Sequence, residues 1–555
     1  MGLITHKKLI PVDSGIHHLL ERSQAGTEAT EEDVKNLLRR YSVKDALLSF
    51  GALSIAMYFD PKLPGRQNAS MLFTPDTGIV ITQFALSYLA SMSILSGSND
   101  YKAPLTAPGK SNVDGICNIY SNALSTPISE QEIKEYGPAP FLMRMATEQF
   151  AYQISGSYML ARTSVMFLEI AAEIEPQNLR TLDSFFQEKT GITLHDFLWL
   201  SFCFFALLQE APTFRAAQLL EADMPPHYMA LFTEEKITKF LELMALDYAS
   251  FREVDESMNS RIRSSHTKTR FNPLIQFPII KLQTPSGPNP YIVPNVITYL
   301  RRITDGLYWW FDEQFAQEGG SERDKFRSYF GKVFEEYVGQ VLKAIYGDSM
   351  MNKEFFYGTK KSPIAFIDWW MIKNNKLYLF EAKASQVNLY NRTVCDPEKY
   401  KLEEIPKIAK AIKQLFLRIK DIQGNTYPEL QKFQGMEVIP VAIFYDMPFV
   451  AEKGLYGHWL NEELVRMESN DPNLVGLASF KAHLINISEL EPFESLAGSV
   501  PLEDIFYKNE QLGGQTNISS TMASFGQTKS GFLDGAYARF FRPMHSPGNK
   551  LIDED

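Results

Sequence analysis

Two apolar runs separated by four polar residues constrain this chain most. Ser362 to Ile372 is mostly apolar, Lys373-Asn374-Asn375-Lys376 is polar, and Leu377 to Ser385 is apolar again. Apolar runs joined by an asparagine-bearing turn predict a β-hairpin. The hairpin decides which polar residues meet. Asp368 lies in its first strand. Glu381 and Lys383 lie in the second, two apart and so on one face. Crossing back over the turn brings Asp368 beside Glu381. Two carboxylates so placed repel each other and attract a divalent cation, and all-oxygen ligands favour Mg2+ or Mn2+. Ala382 points away, but its carbonyl is a further candidate ligand. Lys383 is placed to orient a water or hold it as hydroxide.

An acidic-x-Lys triplet alone says little, because Asp33-Val34-Lys35, Asp100-Tyr101-Lys102 and Glu234-Glu235-Lys236 occur in the same chain. Only the copy at 381–383 has a strand, an upstream Asp and a helical Glu in order. The bland alternative is a hairpin with a surface salt bridge on Lys383. Against it, three charged side chains on an apolar β layer need partners, because burying them alone is costly.

With these residues in this order, the region resembles the PD-(D/E)XK nuclease superfamily, the restriction-endonuclease-like fold, over about residues 321–450. The resemblance implies a helix carrying a Glu, three strands, a helix and a further strand. Arg323 to Tyr346 supplies the first helix, with Phe326, Phe330, Phe334, Tyr337, Val338, Val341 and Leu342 on one stripe. Lys353 to Tyr357 stands as the first strand and the hairpin as the next two. Ile405 to Lys420 is an amphipathic helix, and Val438 to Tyr445 an apolar strand. By resemblance, Asp368 and Glu381 are metal ligands, Lys383 is the catalytic lysine, and Glu335 is the helical Glu, with Glu336 as its neighbouring alternative. Ile367 stands where the family often has proline.

The fold class expected is multidomain: a mainly α-helical N-terminal half followed by an α/β restriction-endonuclease-like domain with an αβββαβ core and a mixed central sheet. Residues 1–270 read mainly as helices, at 28–40, 43–58, 83–96, 129–135, 140–175, 179–188, 194–210 and 234–250. Residues 271–320 are a proline-rich connector and a helix, 321–500 the nuclease-like domain, and 501–555 a tail expected to be partly flexible. Thr193 is placed to cap a helix, with His195 structural in its first turn. Thr77 to Ser98 is free of charge but rich in Thr, Ser and Gln. It reads as a short strand at 79–82 and a buried helix, not as a membrane span.

The net charge of −11 is unusual for a nucleic-acid binder, but its distribution is uneven. Residues 353–420 hold 14 Lys/Arg against 7 Asp/Glu, leaving −18 for the rest. A localised phosphate-binding face is therefore expected, with Lys407, Lys410 and Lys413 on the amphipathic helix and Trp370 as a base-stacking group. Those lysines are equally well read as a solvated helix face. The basic stretch Arg261 to Arg270 is either an arm on phosphates or a solvated linker. Three scattered cysteines and a polar start without a secretory signal point to the cytoplasm. No P-loop, HExxH, CxxC or GxSxG pattern stands in a fitting context.

The expected activity is Mg2+- or Mn2+-dependent hydrolysis of nucleic-acid phosphodiester bonds, with DNA favoured and cutting internal. Restriction or anti-phage defence is the setting that analogy offers. A homodimer or a partner protein is expected, and no membrane. The alternatives are a non-catalytic scaffold that grips nucleic acid or protein, and a DNA-repair nuclease.

Overall fold

The computed structural model describes residues 31–74, 79–97, 156–176, 178–221, 232–260, 271–282, 290–387, 397–446, 455–512 and 518–541. The chain is helix-rich with several small sheets and one larger mixed sheet. In the N-terminal half, helices Val43–Phe59 and Gln83–Ser96 pack together over their own apolar cluster. Strand Ile79–Thr82 feeds directly into the second of them, and the Thr82 hydroxyl caps it by accepting the Ala85 N–H. Thr193 likewise caps Leu194–Leu207, accepting the Asp196 N–H at 3.0 Å, and His195 Nε2 accepts the Trp199 indole N–H at 2.8 Å. The helix expected at 129–135 and the basic stretch 261–270 lie outside the described residues.

The larger sheet holds the candidate site. Helix α1 (Gly320–Tyr346) leads into β1 (Asn352–Lys353), β2 (Phe356–Thr359), β3 (Ser362–Ala365), β4 (Trp369–Lys373) and β5 (Lys376–Lys383). Helix α2 (Ile405–Gln423) crosses over to β6 (Glu437–Phe444), and β7 (His483–Asn486) completes the sheet. The strand order is β7-β6-β5-β4-β1. Pairs β5–β6 and β6–β7 are parallel, whereas β5–β4 and β4–β1 are antiparallel. The β4–β5 turn is the predicted one: Asn374 and Asn375 both take positive φ (54° and 60°), the backbone of a tight hairpin turn that asparagine tolerates.

Side chains alternate cleanly across the sheet. Trp369, Met371, Tyr378, Phe380, Val441 and Ile443 are buried on the α1 side. Trp370, Leu377, Leu379, Ala442 and Phe444 are buried on the α2 side. The stripe from Phe326 to Leu342 on α1 and Ile408, Ile412, Leu415 and Ile419 on α2 supply the covering layers.

The sequence-based division into a helical half and a separate sheet domain misses one feature. The α1-side core runs without interruption into the N-terminal helices and the C-terminal segment. Inside it, Arg162 donates two hydrogen bonds to Glu491 (2.7 and 2.6 Å), and the Tyr337 hydroxyl donates a third (2.6 Å). Both charges are sealed from water, with Arg162 4% and Glu491 1% exposed. The C-terminal segment, which its polar composition marks as loosely held, forms helices at Ile518–Ala523 and Gly531–Phe540. Phe541 stacks on Phe202 at 4.7 Å. Tyr537 also packs edge-on to Phe202 at 6.1 Å, so the second of these helices docks on the N-terminal half. Removing one partner of a buried ion pair leaves the other uncompensated. Arg162→Ala or Glu491→Ala is therefore expected to destabilise the protein by about 3–5 kcal/mol, read as a lowered denaturant midpoint. A shift below about 1 kcal/mol would show the pair to be dispensable.

Among the described residues, no single helix is long and apolar enough to cross a membrane; Leu182–Thr190 and Leu194–Leu207 pass only as a pair bent by 71°. The phenylalanines and all leucines of that pair but Leu207 are buried in the shared core.

Candidate active site

The first hairpin strand is not continuous, and its break creates the site. Register places Trp369 opposite Lys353 and Ala365 opposite Phe356. Three residues, Phe366 to Asp368, therefore face two, Glu354 and Phe355. This is a β-bulge, bridged by Phe366 N–H to the Phe355 carbonyl (2.9 Å) and Glu354 N–H to the Asp368 carbonyl (3.0 Å). A bulge re-aims the side chain it carries. Asp368 consequently sits just before β4 rather than within a strand. Its Oδ2 accepts the Ala382 N–H across the hairpin at 2.7 Å.

Glu381 and Lys383 end β5 as expected and are joined to each other by an ion pair and hydrogen bond. Glu381 is 3% exposed, so its carboxylate is held inside the domain at the end of the central strand. The Lys383 carbonyl accepts the Tyr445 N–H at 3.0 Å. Because peptide groups alternate along a strand, those of Ala382 turn the other way, toward Asp368. The N–H is spent on Asp368, and the carbonyl lies on the same side.

Helix α1 brings in the third carboxyl. The Trp369 indole N–H donates to the Glu335 carbonyl at 2.8 Å, locking the helix to β4 at the residue whose side chain approaches Asp368. Glu336 is engaged elsewhere, paired with Lys353 at 2.8 Å. The approach of helix to strand depends on Gly339. A β-carbon there would lie 2.0 Å from the Trp369 ring, whereas one at Gly331 on the same helix would meet nothing within 4 Å. Gly339→Ala is expected to cost about 1–3 kcal/mol by overpacking. Gly331→Ala is expected to be neutral or stabilising by up to about 1 kcal/mol, since Ala favours helix. Melting both variants checks this; equal midpoints would contradict it.

The electrostatics follow from burial. Burial pushes the Asp368 carboxyl up from its ordinary range, and the neighbouring Glu381 charge adds to this; Lys383 and the Ala382 N–H oppose it. Burial raises Glu381 too, opposed by Lys383 and then by Arg418. Glu335 is pushed up to about 7, first by burial and then by the Asp368 charge. Three carboxyls thus resist ionising together. Among the described residues, no three Asp, Glu, His or Cys side chains close into a ready cage for a metal. The arrangement is open, but its chemistry suits a hard cation: oxygen donors only, mutually repelling, with the Lys383 ammonium as the single positive group bonded to Glu381.

Of the residues read as nucleic-acid contacts, Trp370 is corrected. It is 8% exposed, held edge-on to Phe433 (5.0 Å) and Phe355 (6.0 Å) and covered by Lys432, whose ammonium lies 4.5 Å from its ring centre. No ring face is left for a base. Strand alternation places it on the Asp368 side, but a short 3-10 helix at Pro428–Phe433 closes over it. Lys407 is bonded to Glu404 (2.7 Å) and to the Gln386 carbonyl (3.2 Å), and Lys413 lies 3.9 Å from Asp471. Lys410 is exposed and makes no ion pair among the described residues.

One residue escaped the sequence reading. Arg418 on α2 donates to the Phe366 carbonyl at the start of the bulge (2.8 Å) and approaches the Tyr357 hydroxyl (3.3 Å) and Asp421 (3.4 Å). It holds the bulge that carries Asp368, and its charge favours ionised Glu381. Nothing local distinguishes it from the other basic residues of α2, because the carbonyl it holds at the bulge lies 52 residues away. No family model, curated protein or solved structure matches the chain.

Proposed function

We propose that the chain is a metal-dependent nuclease, hydrolysing phosphodiester bonds at Asp368, Glu381, Lys383 and Glu335. The order α1, β1, β4, β5, α2, β6 supports a restriction-endonuclease-like reading of the sheet domain. The observation that carries the proposal is the convergence of two buried carboxyls and a lysine at the C-terminal end of the central strand β5, with a third carboxyl brought up by α1.

Asp368 and Glu381 would hold Mg2+ or Mn2+, with the Ala382 carbonyl and Glu335 as further oxygen donors. A bound divalent cation supplies an acidified water and neutralises charge developing on the phosphate. The chain's own residues do the rest. The Ala382 N–H fixes the Asp368 carboxylate, and Arg418 fixes the bulge beneath it. Lys383, bonded to Glu381 in this structure, would orient the attacking water and stabilise negative charge at the phosphate if that carboxylate held a cation instead. Without a cation, burial and the Asp368 charge hold the Glu335 carboxyl up at about 7, a cost that a bound cation would relieve.

A second reading, a module that grips nucleic acid without cutting, is favoured by the open carboxyl arrangement. One assay separates the two. Circular duplex DNA, linear duplex DNA and single-stranded RNA are incubated with the full chain in Mg2+, Mn2+ or EDTA. Cation-dependent loss of one substrate supports the nuclease and identifies what it cuts. Binding without loss of any substrate supports the module.

A further inference from the structure

We propose that the β2–β3 ribbon is a docking element for the major groove of duplex DNA, a proposal that rests on reading the neighbouring carboxyls as a nuclease site. The ribbon pairs with no other strand and forms a two-stranded sheet of its own, in register from Thr359–Ser362 to Phe356–Ala365. One face is anchored. Tyr357 is buried, its hydroxyl bonded to Asp421 on α2 and its ring set edge-on to Tyr427 at 4.9 Å. The other face carries Phe356, Ala365, Gly358 and Pro363 and leaves Phe356 63% exposed, more than any other large aromatic among the described residues. Exposing a phenylalanine to water brings no benefit to the isolated fold.

Charge identifies the occupant. Lys360 and Lys361 form the tip, both exposed and neither in an ion pair among the described residues. No acidic residue occurs from Phe355 to Ile367. A projection that is basic at its tip, uncharged along its flanks and free of acids complements a polyphosphate surface. Its two-stranded width suits the roughly 12 Å major groove of B-form DNA, whereas the A-form groove of duplex RNA is too deep and narrow to admit it. The ribbon is also continuous with the site, since β3 runs through the bulge into Asp368. At roughly 3.3 Å per residue, Lys361 at the tip lies at most about 23 Å along the chain from Asp368. That is about 7 base pairs at 3.4 Å each. Because the ribbon is anchored on α2, tip and carboxyls keep a set separation. A stiff duplex can meet both at once; a flexible single strand gains little from that spacing.

The test is anisotropy of fluorescent 20-base-pair DNA, 20-base-pair RNA and single-stranded DNA, titrated with the full chain carrying Lys383→Ala to suppress cutting. In that background, Lys360→Ala with Lys361→Ala is expected to weaken DNA-duplex binding roughly tenfold and to reduce the slope of log affinity against log salt by about 2. Phe356→Ser is expected to weaken it several-fold with the slope unchanged. Unchanged duplex affinity in both ribbon variants, equal losses on the single strand, or losses only on RNA would overturn the proposal. Failure of the ribbon and failure of the site give different results. Ribbon-dependent duplex binding by a chain that never cuts would sink the nuclease reading alone. Lys383-dependent cutting that the ribbon substitutions leave unchanged would sink the ribbon alone.

Discussion

Replacing Lys383 by Ala, or Glu381 by Gln, is expected to lower phosphodiester cleavage at least about 10²-fold while leaving the fold in place. The size follows from what each group supplies. Losing one preorganised electrostatic contact to a transition state costs about 10²–10³-fold in comparable sites, and losing a metal ligand removes the source of the acidified water as well. The fold survives because Lys383 is a quarter exposed at the end of β5, and Gln fills the space of Glu381. Lys383→Ala is expected to keep its cation and lose turnover, whereas Glu381→Gln is expected to lose both. Circular dichroism with a plasmid-cleavage time course distinguishes these outcomes. Two folded variants that cut at the parent's rate would place the chemistry elsewhere.

The second large effect is on stability, and it has a definite sign. Asp368, Glu381 and Glu335 hold their protons to higher pH in the folded chain than carboxyls do in an unfolded one, with Glu335 near 7. Between about pH 4 and pH 7 the folded state therefore binds more protons, and these groups make stability fall as pH rises through that window. A divalent cation relieves the same repulsion. Mn2+ in large excess is expected to raise the melting midpoint by about 2–5 °C at pH 8 and by almost nothing at pH 5, where protons already do the work. Buried Glu489 is also pushed up by desolvation, so the raw pH trend alone does not report on the site. The cation response does, and Glu381→Gln should abolish it. A rise at pH 5 equal to that at pH 8 would contradict the account.

The layered sheet domain was largely legible in the sequence because its signals are local. The Asn374-Asn375 turn, the apolar stripe of α1 and the period of α2 each follow from residues within a few positions of one another. What escaped depends on partners far along the chain. The bulge at 366–368 exists because that strand meets Glu354–Phe355 one residue out of step, and no local pattern announces a register shift. Alternation put Trp370 beside Asp368, but Phe433, more than sixty residues on, covers it. The tail from 501 reads as partly flexible by composition, yet Gly531–Phe540 is a helix and Phe541 is buried. Its berth on Phe202 is more than three hundred residues upstream, and the core it completes ties the two halves together.

The central claim is that Asp368 and Glu381 form a divalent-cation site. It is met most directly by calorimetric titration of Mn2+ into the full chain at pH 8, beside Asp368→Asn and Glu381→Gln. The account predicts saturable binding to the parent chain that is lost or weakened at least about tenfold in each variant. No binding to the parent, or equal binding to all three proteins, would contradict it.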